Sequence, residues 1–393
     1  MNSRLMDCSI MHVDMDAFFV SVSTRHQPRL QQIPVAVGGG IRGVVLAANY
    51  PARRHGLSAG ISMTRAHRLC PDLTVLPPDY QTYEMVSRSV MQVLREVSPV
   101  LQMASMDEAF LDLTGTRRRY AGPVEVAEMI RARIADEQQI PCSIGIAGSV
   151  SMAKLASRRA KPDGVFVLPP EEVVSLVHPL DVGELHGVGE RTRERLHQMG
   201  LVTVGDVAHT PIEVLQRILG AAAGLALHHL AWGTDQNVLS ATNRMTGAER
   251  SIGSEETFGR DIDDPVVVQR ELLRLSNKVG YRVRAAGLVG RSVVLKIRFS
   301  DFSTITRSRV FPEATDVTEE IYALLGQLFA GLHLQRARIR LLGVRLEGLI
   351  PKDRVHRQLV LGAGGRGWED IDAVRDAVAT KYGQQLIAPA ALF

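Results

Sequence analysis

The chain has 393 residues, with 46 Lys plus Arg against 42 Asp plus Glu, a formal net charge of +4 and an apolar share of 45%. That length allows roughly two to four domains with sizeable cores, and so small a net charge leaves the case for a nucleic-acid partner to local charge. Cys8, Cys70 and Cys142 are odd in number and widely spaced, which excludes a disulfide framework and a zinc site and suits a reducing cytoplasm. No apolar run approaches the roughly 18 residues of a membrane span, and residues 1–5 lead into no signal-like segment, so the expectation is a cytoplasmic protein without a membrane partner.

Residues 9–17 read as a strand that carries Asp14 and Asp16 between apolar neighbours. A compact insertion follows, to about Asp79. It holds a strand over Ile33–Val37 ended by Gly38-Gly39-Gly40, and a second over Val44–Ala48. A helix over Asn49–Gly56 is entered by Pro51 and stopped by Gly56. Tyr83 to about Val97 is helical by period, with Met85, Val90, Val93 and Leu94 apolar. Val100-Leu101 and Ala109-Phe110-Leu111 are short apolar strands meeting at a tight turn, Ala104-Ser105-Met106-Asp107-Glu108. A helix is expected over 123–140, then a strand over Ser143–Ala147. A helix through Met152, Leu155 and Ala156 stops at Lys161-Pro162-Asp163-Gly164. Strands and helices alternate without a regular βαβ repeat, which predicts an α+β domain.

Adjacent Asp107 and Glu108 at such a turn can aim two carboxylates at one point. Unpaired at a core edge they would repel, so a bound cation is the natural partner. With an acid of the upstream pair, Asp14 and Asp16, they form an oxygen-rich set suited to Mg²⁺, and two such ions support in-line phosphoryl transfer. Either acidic pair alone also reads as surface acids at a strand end.

From about Pro169 the chain turns helical, and Leu185-His186-Gly187-Val188-Gly189-Glu190-Arg191-Thr192 has a helix-hairpin-helix pattern. Its Gly187 and Gly189 would expose N–H groups to a DNA phosphate; the plainer reading is an ordinary turn between helices. Trp232 to about Arg244 is polar and unpatterned, a linker. Between Lys278 and Arg309 stand eight basic residues against one acid, Asp301. Lys296 with Arg298, Arg307 with Arg309, and Arg336, Arg338 and Arg340 recur two apart, which puts them on strand faces suited to a phosphate backbone, or to solvent. The tail has a Gly-rich hinge, Gly362-Ala363-Gly364-Gly365, and an amphipathic helix with Ile371, Val374, Val378 and Tyr382 on one face.

Four stretches, VDMDAFFVSV, AANYPARRHGLSAGISM, ASMDEAFLDLTG and ASRRAKPDG, resemble in order and spacing the Y-family (lesion-bypass) DNA polymerases, on the DNA polymerase IV (DinB) branch. The resemblance runs from about Ile10 to about Leu349. It implies a right-hand fold: palm (1–17 and 80–168), fingers (18–79), helical thumb (169–235), linker (236–245), little finger (246–350) and tail (351–393). It implies a template-directed polymerase that adds dNTPs to primer-template DNA, without proofreading, as a monomer on the bacterial nucleoid.

By the same resemblance Asp14, Asp107, Glu108 and the Met15 carbonyl hold two Mg²⁺, with Mn²⁺ a substitute, while Asp16 is not a principal ligand. Tyr50, Arg53 and Lys161 match residues on the triphosphate. Phe19 matches a steric gate against the ribose 2′-hydroxyl, and Phe18 belongs with it to the nucleotide-binding stretch, its ring expected in the core. Gly43, Val44, Leu46 and Gly60 match a small-residue roof over the nascent pair. Leu392-Phe393 match the end of a sliding-clamp peptide, but Pro389 stands where Gln is usual, so a tail packed on its own protein is equally open. The chain departs from the pattern at Ser23, usually Glu, and at Ser149-Val150, usually Asn-Lys. A nucleotidyl cyclase, or a non-catalytic DNA-binding scaffold, are the rival readings.

Overall fold

The computed structural model describes residues 8–40, 42–116, 119–235, 239, 251–335, 337–355, 367–382 and 387–392. The expected linker, apart from Leu239, the Gly-rich hinge, Arg336 and Phe393 lie outside the described residues. The chain forms two compact units, Met1–Gly39 with Val44–Met245, and Gly40–Gly43 with Thr246–Phe393. Among the described residues no helix is long and apolar enough to cross a membrane.

The first unit runs β1 (Ile10–Met15), α1 (Phe18–Thr24), α2 (Pro28–Gln32), β2 (Val35–Gly38), β3 (Val45–Ala48), α3 (Tyr50–Arg53), α4 (Met63–Leu69), β4 (Thr74–Leu76), α5 (Tyr80–Val97), β5 (Leu101–Met103), β6 (Glu108–Asp112), α6 (Pro123–Gln138), β7 (Cys142–Ala147), α7 (Val150–Ala160), β8 (Val165–Leu168), α8 (Val173–Leu176), α9 (Glu190–Gln198), α10 (Val204–Ala208), α11 (Ile212–Leu219) and α12 (Ala221–Ala231). Its main sheet has the order β5-β6-β1-β7-β8, antiparallel except for β7 with β8. A second sheet, β3-β2-β4, has its own small core of Ala36, Val45, Leu57, Met63 and Cys70.

Alternation along β1 divides the labour. Met11, Val13 and Met15 are buried with Tyr83, Leu94, Ile130 and Ile134 of α5 and α6, each worth about 1.5–3 kcal/mol of burial. His12 and Asp14 take the other face, toward α7. Phe18, Val20 and Val22 of α1 join the same core, so the Phe18 ring is a packing group. Met85, expected on the apolar face of α5, is 53% exposed.

Helix α7 lies unusually close to the sheet. A Cβ on Gly145 of β7 would stand 2.1 Å from both the Ala153 carbonyl oxygen and the Ser157 amide nitrogen. Backbone cannot yield there as a side-chain tip could. Gly145→Ala is therefore expected to destabilise by about 3 kcal/mol and to lower the melting temperature by about 10 °C, read by calorimetry. Gly115→Ala, with nothing within 4 Å, is the control and should be near neutral. Ser149 caps α7 by accepting from the Met152 amide, so the departure at this position retains a helix-starting function.

Helices α8–α12 gather around Val182, Leu196, Val204, Leu215 and Leu227. Trp232 packs edge-on against His178 and His209 and donates from Nε1 to the Ala208 carbonyl, 3.0 Å. The polar stretch read as a linker thus begins inside the helical module, held by a tryptophan whose indole has a partner.

The second unit runs β9 (Ser251–Ile262), α13 (Pro265–Ala285), β10 (Leu288–Phe299), β11 (Thr304–Thr315), α14 (Thr318–Ala330), β12 (Ile339–Glu347), β13 (Ile350–Pro351) and α15 (Trp368–Tyr382). The antiparallel sheet β11-β10-β12-β9 buries Val293, Leu295, Ile297, Leu342 and Val344 against Leu272, Leu275, Val279, Ile321 and Leu325 of α13 and α14. Helix α15 corrects the amphipathic expectation. Ile371, Val374 and Tyr382 are exposed, and the helix docks instead by its acids: Arg284 donates to Asp376 (2.6 Å) and Asp372 (3.0 Å). Paired buried charges with bidentate geometry outcompete a weak apolar stripe.

Candidate active site and nucleic-acid interface

The register of the main sheet sets Asp14 directly opposite Glu108 on one side and Ser143 on the other. Even spacing from His12 puts Asp14 on the α7 face, and pairing brings Glu108 to the same face. The β5–β6 turn is pinned from both sides: the Met15 amide donates to the Asp107 carbonyl (2.9 Å), and Ser87 Oγ donates to the Met106 carbonyl (2.6 Å). Asp107 thus lies at the turn beside this pair, its Oδ1 accepting from Ser105 Oγ at 2.5 Å.

Each facing carboxylate is closed by an ammonium. Lys161 Nζ donates to Asp14 Oδ1 and Lys154 Nζ to Glu108 Oε2, both at 2.6 Å. Among the described residues no three His, Cys, Asp or Glu side chains are grouped closely enough to hold a metal. The donor set nevertheless fits a hard divalent cation. Burial pushes the Asp14 carboxyl up, with Lys161 offsetting part of the effect, so added positive charge there is favourable. Glu108 is held at about 2 by the adjacent His12 ring and, against burial, by Lys154. The His12 Nε2 to Glu108 Oε2 separation is 3.5 Å, an electrostatic contact rather than a full hydrogen bond. His12 Nδ1 lies within hydrogen-bond distance of Ser157 Oγ (2.7 Å), which also reaches the Lys154 carbonyl (2.8 Å). Burial lowers the His12 pKa. Neither Lys154 nor His12 stood out in the sequence, since their partners are 46 and 145 residues away.

Asp16 has a different task from Asp14. It is fully buried and accepts from Tyr50 Oη (3.0 Å), Ser143 Oγ (2.9 Å) and the Asp163 amide (2.7 Å). The Tyr50 hydroxyl is pushed well above its usual pKa by burial and by Asp16. Arg53 lies over the Tyr50 ring at 4.9 Å, its Nε on the Ala48 carbonyl. Asn49 caps α3 and accepts from the Val35 amide, fixing both residues to the small sheet. The structure thus links Tyr50 and Lys161 to the acidic strand.

Phe19 is half-buried, stacked on Tyr83 at 4.6 Å with Tyr80 edge-on at 6.1 Å. Ser23 Oγ meets the Tyr83 hydroxyl at 2.8 Å, so the departure at Ser23 anchors the ring behind Phe19. Val44 and Leu46 flank Val45, whose carbonyl accepts from the Gly60 amide, and Gly43 enters β3 through a turn closed on Gly40. Val44 is 42% exposed.

In the helical module Gly187 has φ +90° and Gly189 starts α9 with no side-chain cap. The first α9 amides are therefore left for solvent or a phosphate. The basic strands differ from expectation. Lys296 and Arg298 lie opposite Thr306 and Thr304 on the sheet face away from α13 and α14. Arg307 and Arg309 lie opposite Leu295 and Val293, on the helix side, where Arg309 donates to Gln327 of α14. The regular register pairs even-numbered residues with even and odd with odd, so the two basic pairs fall on opposite faces. Lys296 is moreover paired with Glu255 at 2.8 Å, so the open face is of mixed charge. Arg338 is 73% exposed, and Arg340 stacks on Phe302 at 4.5 Å.

Residues 13–158 match the impB/mucB/samB family model, 249–361 its C-terminal domain, and 183–235 the thumb domain of DNA polymerase-iota. The chain is 39% identical to a DNA polymerase IV of Alkalilimnicola ehrlichii, over 87% of this chain and 95% of the relative. It is 39% identical to a DNA polymerase IV of Halorhodospira halophila, over 88% and 96%. A solved Y-family DNA polymerase chimera, Dbh-Dpo4-Dbh, superposes with a TM-score of 0.78 at 25% identity, covering 87% of this chain and 99% of that one.

Proposed function

The chain belongs to the Y family of DNA polymerases, on the DNA polymerase IV branch, and on that premise we propose that it extends primers by two-metal phosphoryl transfer at Asp14, Asp107 and Glu108. Membership makes it a DNA-directed DNA polymerase of translesion synthesis, with palm, fingers, helix-hairpin-helix thumb and little finger, acting on DNA and dNTPs. The observation that carries the proposal is the facing pair Asp14 and Glu108, each closed by a lysine, with Asp107 at the adjoining turn.

Asp14, Asp107, Glu108 and the Met15 carbonyl would hold two Mg²⁺, or Mn²⁺ in its place. Bound there, the ions supply acidity to the primer 3′-hydroxyl and offset charge on the triphosphate. Tyr50, Arg53 and Lys161 bind and orient the β- and γ-phosphates: the guanidinium by its fork, the lysine as a point charge. Lys161 then exchanges Asp14 for a phosphate oxygen. Phe19 excludes the 2′-hydroxyl, while Gly43, Val44, Leu46 and Gly60 leave room for distorted bases, at a cost in fidelity. Gly187 and Gly189 present amides to the DNA backbone, and Lys296, Arg298, Arg338 and Arg340 add cationic contacts. The domain boundaries given above go with this reading, as do action as a monomer in the cytoplasm and lack of proofreading. The turn Ala390–Leu392 lies against α13, which favours a tail packed on its own chain over one free for a clamp.

The test is extension of a primed template with Mg²⁺ and one dNTP at a time. The expected result is template-dependent addition in which the complementary nucleotide is preferred and the others are misincorporated at lower but measurable rates. Cyclic-nucleotide formation without template, or no extension with either metal, would overturn the proposal.

A further inference from the structure

The loop Lys161–Gly164, between α7 and β8, has a backbone that does not hold itself in place. Asp163 has φ +48°, a left-handed conformation that a side-chain-bearing residue adopts only when its surroundings impose it. What holds it lies outside the loop. On one side the Asp163 amide donates to Asp16 Oδ2 at 2.7 Å, and Asp16 is itself fixed by Ser143 Oγ at 2.9 Å. On the other side Arg131 of α6 donates through Nη2 to the Asp163 backbone carbonyl and to Asp163 Oδ1, the latter at 2.8 Å. Arg131 is itself braced: Nε reaches the Cys142 carbonyl at 3.3 Å and Nη1 reaches Glu128 at 2.6 Å. All three polar groups of Asp163 (amide, carbonyl and carboxylate) are thus taken by Asp16, just past β1, and Arg131 of α6, two positions after Lys161.

We propose that Asp16 and Arg131 are positioning residues that set Lys161 over the triphosphate, Asp16 from beneath the loop and Arg131 from its outer side. The proposal rests on the reading of Lys161 as a phosphate contact. Asp16 explains itself in these terms: the second acid of the first motif serves the nucleotide grip rather than the metals, and it also takes the Tyr50 hydroxyl at 3.0 Å. Arg131 sits on the helix layer opposite α7 and has no path to substrate except through the loop.

The test is steady-state primer extension by the full chain, varying dNTP concentration, for Arg131→Ala, Lys161→Ala and the double variant. Arg131→Ala is expected to raise the dNTP KM about fivefold with kcat within about twofold, and to add nothing further in the Lys161→Ala background. Arg131→Lys, whose single ammonium can still reach Asp163 but loses the braces on Cys142 and Glu128, should fall between. Asp16→Asn, which lacks an acceptor for one donor, should also raise KM while the Mg²⁺ concentration for half-maximal rate stays put. An unchanged KM in Arg131→Ala beside a raised KM in Lys161→Ala would overturn the positioning role alone. Additive effects would do the same, since a fold-wide loosening acts independently of Lys161. An unchanged KM in Lys161→Ala would overturn the phosphate reading beneath it.

Discussion

Asp107→Ala is expected to reduce primer extension by roughly a thousandfold or more, with DNA affinity retained. Each metal supplies several kcal/mol of transition-state stabilisation, and about 4 kcal/mol corresponds to that factor. The fold should survive the change. Asp107 lies at a turn where the backbone is held independently of its side chain, by the Met15 amide on the Asp107 carbonyl and Ser87 on the Met106 carbonyl. Its carboxylate contributes one local bond to Ser105, so truncation leaves no distant buried donor orphaned. Thermal melting together with single-turnover extension checks the prediction. A variant that melts normally and still extends at the native rate would remove Asp107 from the catalytic set. Asp16→Asn offers the contrast within the neighbouring motif: it should weaken nucleotide binding without approaching this loss, because its oxygens are committed to Tyr50, Ser143 and Asp163.

The division between these acids shows what a sequence can carry. Asp14, Asp107 and Glu108 stand in contiguous motifs at strand ends, and since alternation gives Asp14 and Asp16 the same face, only the family resemblance separates the two. The partners of Asp16 stand 34, 127 and 147 residues away, and only the pairing of β1 with β7 and the course of the loop after α7 bring them together. Lys154 and Arg131 were invisible for the same reason: each is an ordinary helical cation until the helix is placed. For Arg307 and Arg309 the missing information was register. Their spacing did put them on one face of β11, but which face is set by pairing with Leu295 and Val293. In α15 the apolar spacing was real, yet the ion pairs of Arg284 with Asp372 and Asp376 chose the docked side.

Phe19→Leu is expected to raise ribonucleotide use about a hundredfold relative to dNTP, with dNTP incorporation slowed far less. A rigid ring discriminates only if it cannot retreat, and here the retreat is blocked. The Phe19 ring lies on Tyr83 at 4.6 Å with Tyr80 edge-on, and Tyr83 is fully buried with its hydroxyl held by Ser23. A 2′-hydroxyl meeting that stack has to displace a packed aromatic column, for which about 3 kcal/mol, a factor of roughly a hundred, is a reasonable cost. Leucine is narrower and can rotate aside. Tyr83→Leu, which removes the backing without touching Phe19, should relax the selection in the same direction and by less. Incorporation of each rNTP and dNTP opposite a matched template base measures all three proteins. Equal use of the two sugars by the native enzyme would leave the polymerase intact and remove the gate. Relaxation in Phe19→Leu without any in Tyr83→Leu would show instead that ring shape, not its support, performs the exclusion.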